Sequence, residues 1–267
     1  MVNYINTLPV VVPLKKMGGI EGWEIVEGHP SLLNQMLSEG VIQAGLVSSY
    51  EYALHQSEYL LLPDISISAV GAVKSVLLFS RRPFETLTGC RIVTTSRSAT
   101  SVNLLKLILE NFLGVMPFYC SGNMGDFLAS PHDCAAYLAI GDEALMMLYR
   151  QTGYYVMDLG EIWLNNTGLP FVFAVLAVRK VTADRDYEAV KLLSQILSRC
   201  RRHGRGELDA IVRGSRRCRE IGQKLSLDYL SGIEHDLSTD KIKGLSLFFE
   251  MLSGHLGLAV NTPVFFG

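Results

Sequence analysis

Two kinds of hydrophobic pattern alternate along the chain. Short runs dense in Val, Ile, Leu, Ala and Phe occur at residues 2–6, 24–27, 44–48, 73–80, 91–94, 135–140 and 171–178, and predict strands. Apolar positions three and four residues apart predict helices over 30–38, 49–56, 100–112, 126–129, 143–151, 184–202, 206–225 and 242–254. Several strands are apolar at nearly every position, as in sheets covered on both faces. Such alternation marks an α/β protein.

The most informative stretch is residues 91–109. The β-branched run Ile92-Val93-Thr94 gives way to Thr95, Ser96, Ser98, Thr100 and Ser101, and then to a helix with Val102, Leu105 and Leu109 on its apolar face. First-turn amides of a helix lack intrahelical partners and carry the positive end of its dipole. Hydroxyls beside them complete a cradle for a carboxylate or phosphate. The alternative is a plain N-cap, which accounts for one hydroxyl.

Two extended runs end in charge: 75–80 before Arg81-Arg82, and 171–178 before Arg179-Lys180. They read as crossings between two lobes, one of residues 1–80 with 180–267 and the other of residues 81–179. The expected architecture is therefore α/β and two-lobed, with a ligand cleft lined by strand ends and helix N-termini. Polar turns that can converge on it are Asn6, Ser48-Ser49, Ser98 with Thr100 and Ser101, Gly141-Asp142, and the turn 165–170. Ser49 and Asp142 also suit N-caps, and Thr167-Gly168 before Pro170 suits an ordinary turn. Asn6, at the end of a buried strand, needs hydrogen-bond partners.

Charge is nearly balanced, 24 Lys and Arg against 26 Asp and Glu, so no global field favours nucleic acid or anionic lipid. The basic cluster around Arg199–Arg219 has interspersed acids and no interleaved aromatics, which fits a solvated helix face. Five scattered cysteines form no metal-spaced set and fit reduced thiols of a cytoplasmic protein. The start of the chain lacks a signal-peptide pattern, and no run is long and apolar enough for a membrane span. No Walker A loop, GxGxxG or GxSxG is present. No cofactor or metal is expected, and oligomeric state stays open. Of the six histidines, only His29 and His132 are kept as possible cleft residues. A site rich in hydroxyls and amides but poor in bases suits an anionic small molecule, held and polarised rather than attacked.

The chain resembles the chorismate dehydratase family of the futalosine route to menaquinone. The resemblance runs through Tyr4-Ile5-Asn6-Thr7-Leu8-Pro9, Leu46-Val47-Ser48-Ser49-Tyr50-Glu51-Tyr52 and Leu62-Pro63-Asp64-Ile65-Ser66-Ile67. It continues through the stretch 71–80, Ser98-Ala99-Thr100-Ser101-Val102, Ile140-Gly141-Asp142-Glu143-Ala144-Leu145, Asp158-Leu159-Gly160 and Thr167-Gly168-Leu169-Pro170-Phe171. It implies a fold similar to type II periplasmic binding proteins. The activity implied is a hydro-lyase turning chorismate into 3-[(1-carboxyvinyl)oxy]benzoate and water. On this resemblance Asn6 is the catalytic candidate. Thr100 and Ser101 would anchor one carboxylate and Ser48 and Ser49 the other end, with Ser75, Ser98, Asp142, Thr167 and Gly168 as further substrate-binding candidates. Two alternatives remain: 1,4-dihydroxy-6-naphthoate synthase of the same pathway, and a non-catalytic binding protein for a small carboxylate. The synthase resemblance implies a His base directly after the strand ending at Ile140, where this chain has Gly141-Asp142.

Overall fold

The computed structural model describes residues 4–28, 30–96, 98–150, 153–257 and 260–267. A single 3-10 turn, Ile5–Thr7, leads into α1 (Leu8–Lys16), followed by α2 (Pro30–Ser38), β1 (Ala44–Ser48), α3 (Ser49–Leu54) and β2 (Tyr59–Ala69). Next come β3 (Val76–Ser80), β4 (Arg91–Thr94), α4 (Ala99–Leu107, prolonged by a π-helical turn to Phe112), β5 (Phe118–Ser121) and α5 (Met124–Ala129). They are followed by β6 (Cys134–Ile140), α6 (Asp142–Tyr149), β7 (Tyr155–Asp158), α7 (Leu159–Thr167) and β8 (Phe171–Arg179). The rest is helical: α8 (Lys180–Arg185), α9 (Tyr187–Gly206), α10 (Leu208–Gly214), α11 (Arg216–Ile221), α12 (Gln223–Gly232) and α13 (Thr239–Leu256).

Contacts divide the chain into two units, one of Met1–Ser68 with Val172–Gly267 and the other of Ala69–Phe171. The first holds a three-stranded sheet in the order β1-β8-β2, and the second a five-stranded sheet in the order β5-β4-β6-β3-β7. In the first unit, Val10 and Leu14 of α1, Leu176 of β8, and Val190, Leu193 and Leu197 of α9 share one core cluster. The α9 stripe repeats at three and four residues, which is why this long helix buries one face. In the second unit, Leu77, Phe79, Val93, Phe127, Tyr137 and Met147 form the corresponding cluster.

Three expectations are corrected. The run 2–6 is no strand where it is described: Ile5–Thr7 form a 3-10 turn, and Pro9 then sits in the first turn of α1, where its missing N–H costs nothing. Residues 24–27 carry no strand either. The passages between units fall at 68/69 and 171/172 instead of 80/81 and 179/180. Here β3 is an interior strand between β6 and β7, and β8 lies between β1 and β2. A fully apolar run followed by charge thus marks a strand buried on both faces, not an exit between lobes.

Candidate active site

In the second unit the sheet gathers polar residues along one edge. Strands β4 and β6 run parallel, as do β4 and β5, so their carboxyl ends lie together. Antiparallel β3 brings its first residue opposite Ile140, and β7 pairs Asp158 with Leu77. Helices α4, α5, α6 and α7 all start from this edge, so four sets of first-turn amides share it. Carboxyl edges of open α/β sheets are where such folds bind ligands.

Sequence-predicted residues meet there. Ser98 caps α4, accepting from the Ser101 N–H at 3.3 Å and donating to Ser101 Oγ at 2.8 Å. Thr100 and Ser101 are buried in the same turn. Buried Ser75 accepts the Gly141 N–H through its carbonyl at 2.7 Å, which sets it beside the start of α6. Asp142 is the first residue of α6, not its cap: the cap is Gly141, at φ +61°, and it makes no side-chain bond. Thr167 and Gly168 stand at the opposite end of α7 from Asp158. Thr167 donates to the Trp163 carbonyl at 2.8 Å, and left-handed Gly168 ends the helix.

Sequence reasoning missed what organises this edge. The Asp158 carboxylate accepts four backbone N–H bonds, from Val73 (3.0 Å), Lys74 (2.6 Å), Gly160 (2.9 Å) and Glu161 (3.2 Å). It caps α7 and fastens the turn leading to Ser75. Burial nevertheless raises its pKa, against the lowering effect of those four bonds.

In the first unit, Ser48 is the N-cap of α3 and accepts the Glu51 N–H at 3.2 Å. Ser49, expected as a cap, instead donates its hydroxyl to the Val172 carbonyl at 2.6 Å and is fully buried. It joins α3 to the start of β8, a structural duty. Asn6 differs from both. Its Oδ1 is buried and has no hydrogen-bond partner in the structure. An unsatisfied buried acceptor costs about 1–3 kcal/mol, a cost that a ligand donor can relieve.

The histidine expectation is also corrected. His29 lies outside the described residues. His132 precedes β6 and lines a surface pocket with Arg82 and Arg91, at the sheet end opposite Ser75 and Asp142. The histidine that touches a candidate residue is His235, whose Nε2 donates to the Asn6 carbonyl at 2.6 Å. Burial pushes its pKa down to about 4; the Asn6 bond acts upward, and the charges of Arg205, Arg201 and Lys241 add to the lowering. Its distance in sequence from Asn6 left no local signal.

This architecture defines the class first: an α/β protein of the periplasmic-binding-protein fold. The chain superposes on the periplasmic aliphatic sulphonate-binding protein SsuA from Escherichia coli with a TM-score of 0.68, covering 97% of this chain and 93% of that one. At 12% identity that likeness concerns the fold alone. Within the class, a family model described as menaquinone biosynthesis matches residues 1–254, and the chain belongs to that family. It is 35% identical over 257 residues to a chorismate dehydratase of Thermus thermophilus, covering 91% of each chain. A chorismate dehydratase of Campylobacter jejuni is 31% identical over 177 residues, covering 65% of this chain and 63% of that one. No helix among the described residues is long and apolar enough to cross a membrane.

Proposed function

We propose that this protein is a chorismate dehydratase, a hydro-lyase that removes water from chorismate to give 3-[(1-carboxyvinyl)oxy]benzoate. The observation carrying this reading is the 35% identity to a chorismate dehydratase across nine-tenths of both chains. Loss of the C3 proton leaves charge conjugated through C2=C1 to the ring carboxylate. Departure of the C4 hydroxyl then makes the ring aromatic, which drives the reaction. The site must hold two carboxylates, stabilise enolate-like charge and steer the leaving hydroxyl.

The residues suit those tasks. The α4 amides, with Thr100 and Ser101, take one carboxylate, and Ser75 and Asp142 border the same edge. Ser98, as the cap, shapes that turn. Ser48 serves the other end of the substrate. The unpartnered Oδ1 of Asn6 accepts from the C4 hydroxyl and orients the leaving oxygen. The proton acceptor is the enolpyruvyl carboxylate of the substrate, which then passes the C3 proton to the departing C4 oxygen so that it leaves as water. His235, the histidine in contact with Asn6, already donates to its carbonyl and is hard to protonate. All five cysteines are unpaired, in keeping with a cytoplasmic enzyme.

Incubating the purified protein with chorismate and following the ultraviolet spectrum tests the reading. An aromatic product is expected. Binding without turnover would favour a solute-binding protein, and indifference to chorismate would favour the naphthoate synthase.

A further inference from the structure

Among the described residues, Asn6 is carried by one 3-10 turn, Ile5–Thr7. Its carbonyl oxygen receives a bond from a side chain far away in sequence, His235 Nε2 at 2.6 Å. A carbonyl oxygen only accepts, so Nε2 carries the proton and the neutral ring is the Nε2–H tautomer.

His235 is itself held on both sides. It lies in the extended segment between α12 and α13, which pairs with the end of β2: Ser66 N–H donates to the His235 carbonyl at 2.9 Å, and Ser68 and Glu234 exchange two bonds of 2.9 Å. Extended residues alternate faces, so Glu234 and Asp236 point away from the face that carries the imidazole. Both bond the Lys241 ammonium, at 2.6 Å and 2.5 Å. Lys241 is only 2% exposed, and a buried ammonium persists only when carboxylates pair with it. Burial acts most strongly on the Asp236 carboxyl and would raise it, but the Lys241 bond and charge, a backbone bond and the charge of Arg201 together outweigh it and hold the group below its ordinary value, hence charged. The result is a clamp of backbone bonds to β2 and ion pairs to Lys241 that ends in one imidazole N–H.

We propose that His235 is a positioning residue for Asn6: clamped by Lys241 through Glu234 and Asp236, it fixes the backbone of the Asn6 turn and so the aim of the Asn6 amide. This rests on the dehydratase reading, in which Asn6 orients the leaving oxygen. Positioning of this kind acts on the transition state, where small displacements of a catalytic group cost rate more than binding.

The test compares wild type, Asn6→Ala, His235→Leu, His235→Gln and the Asn6→Ala/His235→Leu double variant, each checked for folding by circular dichroism. His235→Leu is expected to lower kcat for chorismate by about tenfold or more with KM changed by less than about threefold, and His235→Gln, which keeps an N–H donor, to recover most of that loss. In the Asn6→Ala background, His235→Leu should cost nothing further. Wild-type kcat in folded His235→Leu, or losses that multiply in the double variant, would overturn the inference while leaving the dehydratase reading intact. Asn6→Ala with full activity would remove the assignment of Asn6 and the inference with it, and a wild type inert toward chorismate would remove the reading itself. Should His235→Leu fail to fold, imidazole nitrogen shifts of the wild-type protein decide: a proton on Nε2 at neutral pH is expected, and one on Nδ1 contradicts the bond to Asn6.

Discussion

The Asp158 carboxylate accepts the Lys74 N–H at 2.6 Å, and Lys74 holds φ at +60°, a conformation that side-chain-bearing residues rarely adopt. The strained turn and its acceptor belong together, because the bond holds the chain in the left-handed region just before Ser75. Lys74→Gly should therefore raise stability by about 1 kcal/mol, read as a higher Tm.

Asp158→Ala strands four amides at once. A loss of about 2–4 kcal/mol is expected in urea unfolding, with Asp158→Asn intermediate because its one side-chain oxygen can replace part of the set.

Gly204 of α9 faces the Pro9 carbonyl of α1, and a β-carbon there would overlap it. Pro13, four residues on, has no N–H to cover that carbonyl, so the close helix approach needs glycine on the other side. Gly204→Ala should destabilise by about 3 kcal/mol or more, or prevent soluble expression, because α1 follows directly on the Asn6 turn.

Below neutral pH, His235 becomes a source of instability. Its folded pKa of about 4 lies below the ordinary 6.5, so between those values the unfolded chain binds a proton that the folded chain refuses. Its contribution is complete above pH 6.5 and is lost as pH falls toward 4, by on the order of 3 kcal/mol in total. Thermal melts across this range should show that decline, and His235→Gln should flatten it.

Ser98 and Ser101 separate stability from binding. Ser98→Ala removes the α4 cap and should cost about 1 kcal/mol in thermal unfolding. Ser101→Ala should mainly raise KM for chorismate, read from initial rates.

Elements with strong local signals were legible in the sequence. Strands β1 and β4 and helix α2 fall where periodicity puts them, and the turn after β4 reads as a capped helix start. Elements that break local rules were not. Helix α1 contains Pro9 and Pro13, which read as breakers. Strand β2 contains Pro63 and Asp64, the latter at φ +63° and bonded to Arg201 at 2.7 Å, so its pattern is interrupted although the strand continues. The single run expected at 206–225 is divided among three short helices that turn at Ser215 and Gly222. Within the site, Ser98, Thr100 and Ser101 were readable because one turn holds them. His235 acts on Asn6, and Asp158 on the turn at Val73 and Lys74, both far away in sequence, and no periodicity reports such a pairing.

Chorismate carrying deuterium at C3 tests the central proposal most directly, with mass spectrometry of the product formed by the purified protein. The account predicts an aromatic product lacking the C4 oxygen and free of deuterium. Chorismate recovered unchanged, or a product that retains the label, would contradict it.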